Sequence, residues 1–479
     1  MATIFERGKP GRLGLRLPQV DVPSESVERL IPQNLLRQND PELPEVSQVE
    51  VVRHYTRLSK QNYGVEDGIY PLGSCTMKYN PKINEEVASL PGFAQLHPLQ
   101  GDEGSQGALR LMVELGQWLS HIGGMDAITL QPAAGSQGEL TGMLIIRKAL
   151  EQRGELAQRT KILLPDSAHG TNPASATIAG FKVQETASNA RGLVDLEALK
   201  RNADETTAGI MLTNPNTLGL FEDDILKITR VVHDAGGLCY MDGANMNAIL
   251  GHARPGDMGF DLMHYNLHKT FSTPHGGGGP GSGPVAVKKE LQEYLPLPVA
   301  IRQQDGHYAL DFDRPHSIGK LQAFHGSFGM LVRAYTYIAM LGDEGLKSVA
   351  DHAVLHANYL KEKLKGTFRL AHDRTCMHEM VFSGRGVAEG VHTADIAKRM
   401  LDYGVHPSSI YFPLIVPEAM MIEPTETVTL EELDAFVEVL LTIAREAQEN
   451  PELLHEAPHT TPVRRLDDVK AAKELILRA

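Results

Sequence analysis

The sequence predicts an α/β fold: a mainly parallel seven-stranded sheet followed by a smaller α+β domain. Three observations lead there. Seven short apolar runs, at 127–130, 161–164, 181–183, 210–213, 238–241, 262–265 and 285–287, have the length and composition of buried strands. Amphipathic stretches with helical spacing lie between several of them, and that alternation means parallel strands joined by helical crossovers. Beyond residue 330 the apolar spacing lengthens, and only two further runs read as strands.

Along the chain, residues 1–60 carry Pro10, Pro18, Pro23, Pro32, Pro41 and Pro44 among many charges. Such a stretch cannot bury a core of its own, so it is expected to be an arm on the body or on a partner. Residues 61–330 make the large domain. Within it Leu140, Leu144, Ile145 and Leu150 mark one helix. Ile225, Ile228, Val231 and Val232 mark another, stopped by Gly236 and Gly237. In the small domain, 331–450, the runs 377–382 and 420–422 read as strands. Leu430, Leu433, Phe436, Val437, Leu440, Leu441 and Ala444 fall on one helical face, and Thr429 with Glu432 makes a capping box at its start. The tail, 451–479, is expected to end in a short helix.

Composition narrows the function classes. A chain of 479 residues with 42% hydrophobic and 22% charged residues is globular and suits two principal domains. No apolar run approaches the ~18 residues of a membrane span. The first residues mix Glu6, Arg7, Lys9, Arg12 and Arg16 with glycine and show no apolar signal core, so the cytoplasm is expected. A net charge of −14 gives no support to nucleic-acid binding. Cys75, Cys239 and Cys376 lie far apart, with neither metal nor disulfide-framework spacing. His264, His268 and His275 lack the helical pairing of a zinc protease, and no metal is expected.

The chemistry lies at the ends of the predicted strands. The run 262–265 leads to His268 and Lys269, and the glycine-rich loop 272–283 follows. A lysine there is either an ordinary surface residue or an amine desolvated for covalent chemistry. Asp242 ends the run before it, where a carboxylate can pair with a protonated pyridine nitrogen, although such residues also serve metal and sugar sites. Ala133-Ala-Gly-Ser136-Gln137-Gly-Glu lies between a strand and a helix, as a phosphate cradle or a plain tight turn. His169, in Asp166-Ser-Ala-His-Gly-Thr-Asn, could stack on a flat ring or simply cap. Asn214, in Thr213-Asn-Pro-Asn, could reach a ring hydroxyl or merely start a turn. Together the strand ends supply phosphate, stacking, hydroxyl and nitrogen partners and then the lysine. Carboxyl ends of parallel strands are where such sheets bind ligands.

That order resembles the fold type I, or aspartate-aminotransferase-like, pyridoxal-phosphate enzymes. Longer strings resemble one family among them, the P-proteins of the glycine cleavage system, glycine dehydrogenase (decarboxylating). These strings are Tyr70-Pro-Leu-Gly-Ser-Cys-Thr-Met-Lys-Tyr-Asn-Pro, Gln131-Pro-Ala-Ala-Gly-Ser-Gln-Gly-Glu, His169-Gly-Thr-Asn-Pro-Ala-Ser-Ala, Met241-Asp-Gly-Ala-Asn-Met-Asn-Ala, His268-Lys-Thr-Phe and Tyr411-Phe-Pro-Leu-Ile-Val-Pro-Glu. The likeness runs from about residue 30 onward, and the length resembles the second subunit of the split bacterial form.

The resemblance implies pyridoxal 5′-phosphate held as a Schiff base on Lys269, with Asp242 at the pyridine nitrogen and His169 stacked on the ring. Lys269, His169 and Asp242 would be the catalytic set. Ser136 and Gln137 would contact the phosphate, and Asn214 and His268 would be further cofactor contacts. It implies decarboxylation of glycine with transfer of the aminomethyl group to the lipoyl arm of the H-protein, whose disulfide is reduced. The implied partners are a first P-protein subunit, in a heterotetramer of two of each, and the lipoylated H-protein. T-protein and lipoyl dehydrogenase would be members of the same system. For the substrate carboxylate, Arg302, Arg314 and Arg333 are equal candidates. The rival readings are another fold type I enzyme, such as an amino-acid decarboxylase or cysteine desulfurase, and a non-catalytic scaffold subunit.

Overall fold

The computed structural model describes residues 2–276 and 281–475, so the middle of the glycine-rich loop lies outside the described residues. The chain divides into two compact units, one running from Val65 to Arg465 and one joining the residues up to Gly64 with those from Leu466 on. In the smaller unit the helix Gln48–Ser59 starts at a capping box. The Ser47 hydroxyl accepts from the Glu50 N–H at 3.3 Å, and the Glu50 carboxylate accepts from the Ser47 N–H at 2.9 Å. Before Val46 no described side chain is buried, as expected for a stretch so rich in proline and charge.

In the larger unit all seven predicted runs become strands of one sheet. They are β1 (Ala127–Thr129), β2 (Lys161–Pro165), β3 (Lys182–Thr186), β4 (Thr207–Thr213), β5 (Leu238–Gly243), β6 (Leu262–Tyr265) and β7 (Val285–Val287). The spatial order is β1-β7-β6-β5-β4-β2-β3. The pairs from β6 through β3 are parallel, and β7 runs antiparallel to both neighbours. Every residue of β4, β5 and β6 is buried, because helices cover both faces. On one face the helix Gly135–Gln152 sets Met143, Ile145, Ile146, Ala149 and Leu150 against Leu164, Met211 and Tyr240. On the other, Leu115 and Leu119 of the helix Gln106–Gly123 pack with Met241 and Met263. A β-hairpin, β8 (Val299–Arg302) with β9 (Tyr308–Asp311), follows the sheet.

The helical stretch Phe328–Leu364 joins two cores. Leu331 and Val332 belong to the core of the seven-stranded sheet, while Leu360 and Leu364 belong to a second one. Between them Gly342, at φ 60°, interrupts the helix in a conformation that glycine tolerates. The second core lies against an antiparallel sheet ordered β10-β11-β13-β12, formed by Arg369–Leu370 (β10), Met380–Ser383 (β11), Ser409–Ile410 (β12) and Ala419–Ile422 (β13). The expected capping box at Thr429 and Glu432 forms, and Leu433, Phe436, Val437 and Leu440 of the helix it opens are buried in this core. β11 starts at Met380, later than the sequence suggests. Met377 leaves the ladder to give its N–H to Gly219 O at 2.7 Å, and Glu379 takes an N–H from a distant loop. Among the described residues no helix is long and apolar enough to cross a membrane.

Candidate active site

At the carboxyl ends of β4, β5 and β6 opens a cavity of about 550 Å³. Ser136, His169, Asp242, His268 and Lys269 all line it; Gln137 and Asn214 do not. Parallel register brings this about. Asp242 pairs with Thr213 on one side and His264 on the other, so three strand ends present polar side chains at one level.

Asp242 is buried. It accepts from the Ala244 N–H at 3.0 Å and the Asn172 amide at 3.2 Å, and lies 3.5 Å from His264 Nε2. Burial alone would raise its carboxyl, but the neighbouring His264 and Lys269 and the two hydrogen bonds outweigh it and hold the carboxyl below its ordinary range. His264 is itself kept neutral by burial. It is fixed between the Tyr240 hydroxyl and Asn266 Oδ1, each at 2.6 Å, with Asn266 in turn 3.3 Å from His268.

Lys269 follows β6 in a single helical turn, Leu267–Thr270, and is half-buried. No hydrogen bond or ion pair among the described residues holds its amine. His268 beside it is buried, and its imidazole is pushed down to about 3 by burial and then by the Lys269 charge. On the opposite wall the half-buried His169 accepts from the Thr171 N–H at 3.3 Å, packs edge-on to Phe412 at 5.5 Å, and is kept neutral by its partial burial. A neutral, edge-fixed imidazole suits stacking on a flat ring.

The Ala133–Glu139 motif opens the long helix Gly135–Gln152 and is not a separate turn. Its N-cap, Ala134, offers no side-chain acceptor, so the N–H groups of the first turn point at the cavity unpaired by any cap. A Cβ on Gly135 would stand 2.5 Å from Asn266 Nδ2, and one on Gly138 would stand 2.8 Å from Gly283 O. Gln137 braces this turn from behind, accepting from the Ala133 N–H at 2.7 Å. Asn214 likewise turns inward, accepting from the Glu222 N–H at 3.1 Å.

Several wall residues escaped the sequence reading. Thr213 Oγ1 is buried without a partner among the described residues, and Asn245, Thr217, Glu139 and His264 also line the space. The signal for His264 was its sheet register with Asp242. His264, His268 and His275, scattered in sequence, all reach this one wall. Gly73, Ser74 and Cys75 come from the segment 70–81, whose role sequence alone does not give. Its anchor is Lys78, buried and donating to Glu426, Asn247 Oδ1 and Thr270 O at 2.8–2.9 Å, the last in the residue following Lys269. Lys78→Met would strand the Glu426 charge in the interior. The expected loss, read from the urea midpoint, is about 3–5 kcal/mol.

None of the arginine candidates lines the cavity. Arg333 is clamped on Glu85 at 2.7 and 2.8 Å, Arg314 pairs with Asp311 beside a different cavity, and Arg302 lies exposed on β8.

A sheet of this order with a lysine and a buried, ionised aspartate at adjacent strand ends defines the fold type I class of pyridoxal-phosphate enzyme. Solved structures share the fold. A glycine decarboxylase (P-protein) of the glycine cleavage system in inhibitor-bound form superposes with a TM-score of 0.74 at 22% identity, over 87% of this chain and 95% of that one. A cysteine desulfurase from Thermococcus onnurineus reaches 0.62 at 16% identity, over 79% of this chain and 95% of its own. The family model for the glycine cleavage system P-protein matches residues 20–306, and that for the glycine dehydrogenase C-terminal domain matches 349–459. Among relatives, the probable glycine dehydrogenase (decarboxylating) subunit 2 of Caldanaerobacter subterraneus subsp. tengcongensis is 61% identical over 99% of this chain and 98% of its own. Its counterpart in Thermococcus onnurineus is 59% identical over 99% and 95%. The chain belongs to the glycine cleavage system P-protein family.

Proposed function

We propose that this chain catalyses the pyridoxal-phosphate-dependent decarboxylation of glycine, releasing CO₂ and passing the aminomethyl group to the lipoyl arm of an H-protein, whose disulfide is reduced. It would thus act as glycine dehydrogenase (aminomethyl-transferring). The observation that carries the reading is Lys269 facing the buried, ionised Asp242 across one cavity.

The residues fit pyridoxal 5′-phosphate. An uncapped helix N-terminus awaits an anion, and Thr213 Oγ1, on the cavity wall, has no partner among the described residues. Asp242 would hold a proton on the ring nitrogen, His169 would pack on the ring face, and the first helical turn with Ser136 would take the phosphate. Gln137, Asn214 and His268 support these walls from behind or beside. Bound there, the cofactor supplies an aldehyde that condenses with amines and a cationic ring that draws electrons from the breaking bond. Lys269 would carry it covalently, and its amine is the group placed to move a proton at the substrate α-carbon. The cavity walls would orient the substrate, with hydroxyl, amide and imidazole groups available to its carboxylate.

The full system would comprise a separate first P-protein subunit, two copies of each chain, the lipoylated H-protein, T-protein and lipoyl dehydrogenase, in the cytoplasm. The test is exchange of labelled bicarbonate into the glycine carboxyl. Exchange should require this chain, the first subunit and the lipoylated carrier together. Sulfur release from cysteine, or CO₂ release from a larger amino acid without the carrier, would replace this reading with a rival fold type I activity.

A further inference from the structure

Behind the wall formed by Gly73, Ser74 and Cys75 lies a buried polar cluster that the mechanism above does not use. His378, Glu379 and Glu423 are each 0% exposed, and ligand atoms of the three lie within 4.8 Å of one another. His378 Nε2 stands 3.9 Å from Glu379 Oε1 and 3.8 Å from Glu423 Oε1. Those two oxygens and both ring nitrogens of His378 make no hydrogen bond among the described residues. The other oxygen of each carboxylate is engaged: Glu379 Oε2 accepts from the Ser74 N–H at 2.8 Å, and Glu423 Oε2 accepts from the Thr76 N–H at 2.9 Å. Ser74 and Thr76 sit at φ 67° and 50°, a left-handed conformation that side chains avoid unless their surroundings enforce it.

We propose that Glu379 and Glu423 are positioning residues that clamp the turn Ser74–Cys75–Thr76 at the wall of the cavity, and so set how that wall meets the substrate amino acid. This rests on the reading of the cavity as the cofactor and substrate site. The rest of the loop is fixed by the same small sheet. Leu72 bridges to Ile422, the Ser409 hydroxyl donates to Gly73 O at 2.7 Å, and a Cβ on Gly73 would stand 2.8 Å from Met421 O. From the other side His275 lies 3.1 Å from Cys75 O.

The clamp has a charge problem with one economical solution. Two ionised carboxylates so close and so buried repel each other, and no lysine or arginine among the described residues pairs with either. A proton carried on either Oε1 atom removes the repulsion between the pair and leaves both Oε2 atoms free to accept. Burial supports this, raising Glu423 to about 7 and, with the Glu423 charge, lifting Glu379 well above the usual range. Burial also keeps His378 neutral. With that one proton the pair carries a single negative charge instead of two, so it repels the carboxylate of a substrate less.

Glutamine imitates a neutral carboxyl, which decides the test. The holoenzyme with its first subunit is assayed as Glu379→Ala, Glu423→Ala, Glu379→Gln and Glu423→Gln. The readouts are hydrogen exchange across 72–77, visible absorbance of the cofactor, and KM for glycine. The alanine variants should exchange at least about tenfold faster there and raise KM by about tenfold, with cofactor absorbance kept. Glutamine at either position should restore both to within about threefold. Alanine variants with wild-type exchange and KM would overturn the proposal, as would glutamine variants as impaired as alanine, or a stoichiometric divalent ion in the wild-type cluster. If the alanine variants do not accumulate, the glutamine variants decide alone, since a metal-bound or obligatorily ionised carboxylate would not tolerate the amide. A wild type without glycine turnover would refute the functional reading instead, and the exchange measurement would still judge the clamp.

Discussion

Lys269→Ala is expected to abolish both the visible absorbance of the bound cofactor and all measurable turnover. No other lysine lines the cavity among the described residues. The nearest alternative in the network, Lys78, is committed to Glu426, Asn247 and Thr270 O and cannot swing in without leaving a carboxylate buried and alone. Folding should be unaffected, since the turn that carries the lysine is held through its backbone, with the Lys269 N–H donating to Asn266 O at 3.1 Å. Cofactor absorbance and turnover are read on the purified two-subunit protein. Retention of either at wild-type level would mean that the amine is elsewhere.

Asp242→Asn should slow decarboxylation by about 10²–10³-fold, the scale of removing one preorganised charge from a reacting centre. The neutral amide no longer favours a proton on the ring nitrogen, so the ring draws electrons less strongly. Folding should survive, because the local hydrogen bonds can rearrange. The introduced amide oxygen would keep the Ala244 N–H, and Asn172, whose Oδ1 has no partner among the described residues, can turn its own amide to accept from the new donor. Single-turnover rates with glycine measure the effect, and thermal midpoints check the fold. A near-native rate would show that the ring nitrogen is not held by this residue.

Much of the sheet and the cavity wall was legible from the sequence because both are local. Each strand of the parallel sheet is a continuous apolar run, and the polar residue that ends it emerges at the ligand-binding edge by geometry alone. Asp242, Lys269, His169 and Ser136 could be read this way. Side-chain direction at a turn could not: Asn214 and Gln137 sit in the right motifs but point into the scaffold, holding Glu222 and Ala133. Nor could contacts across long sequence distances. Ser74 meets Glu379 across 305 residues, and Thr76 meets Glu423 across 347, so no periodicity or spacing could announce them. The displaced start of β11 has the same origin, since Met377 and Glu379 are drawn off the ladder by Gly219 and Ser74.

The central claim is that one amine, Lys269, bonds covalently to the cofactor opposite Asp242. Borohydride reduction of the native two-subunit protein, followed by proteolysis and mass spectrometry of the labelled peptide, tests it most directly. The label should be found on Lys269 alone, at one per copy of this chain. Label on another lysine, on the partner chain, or on neither would contradict it.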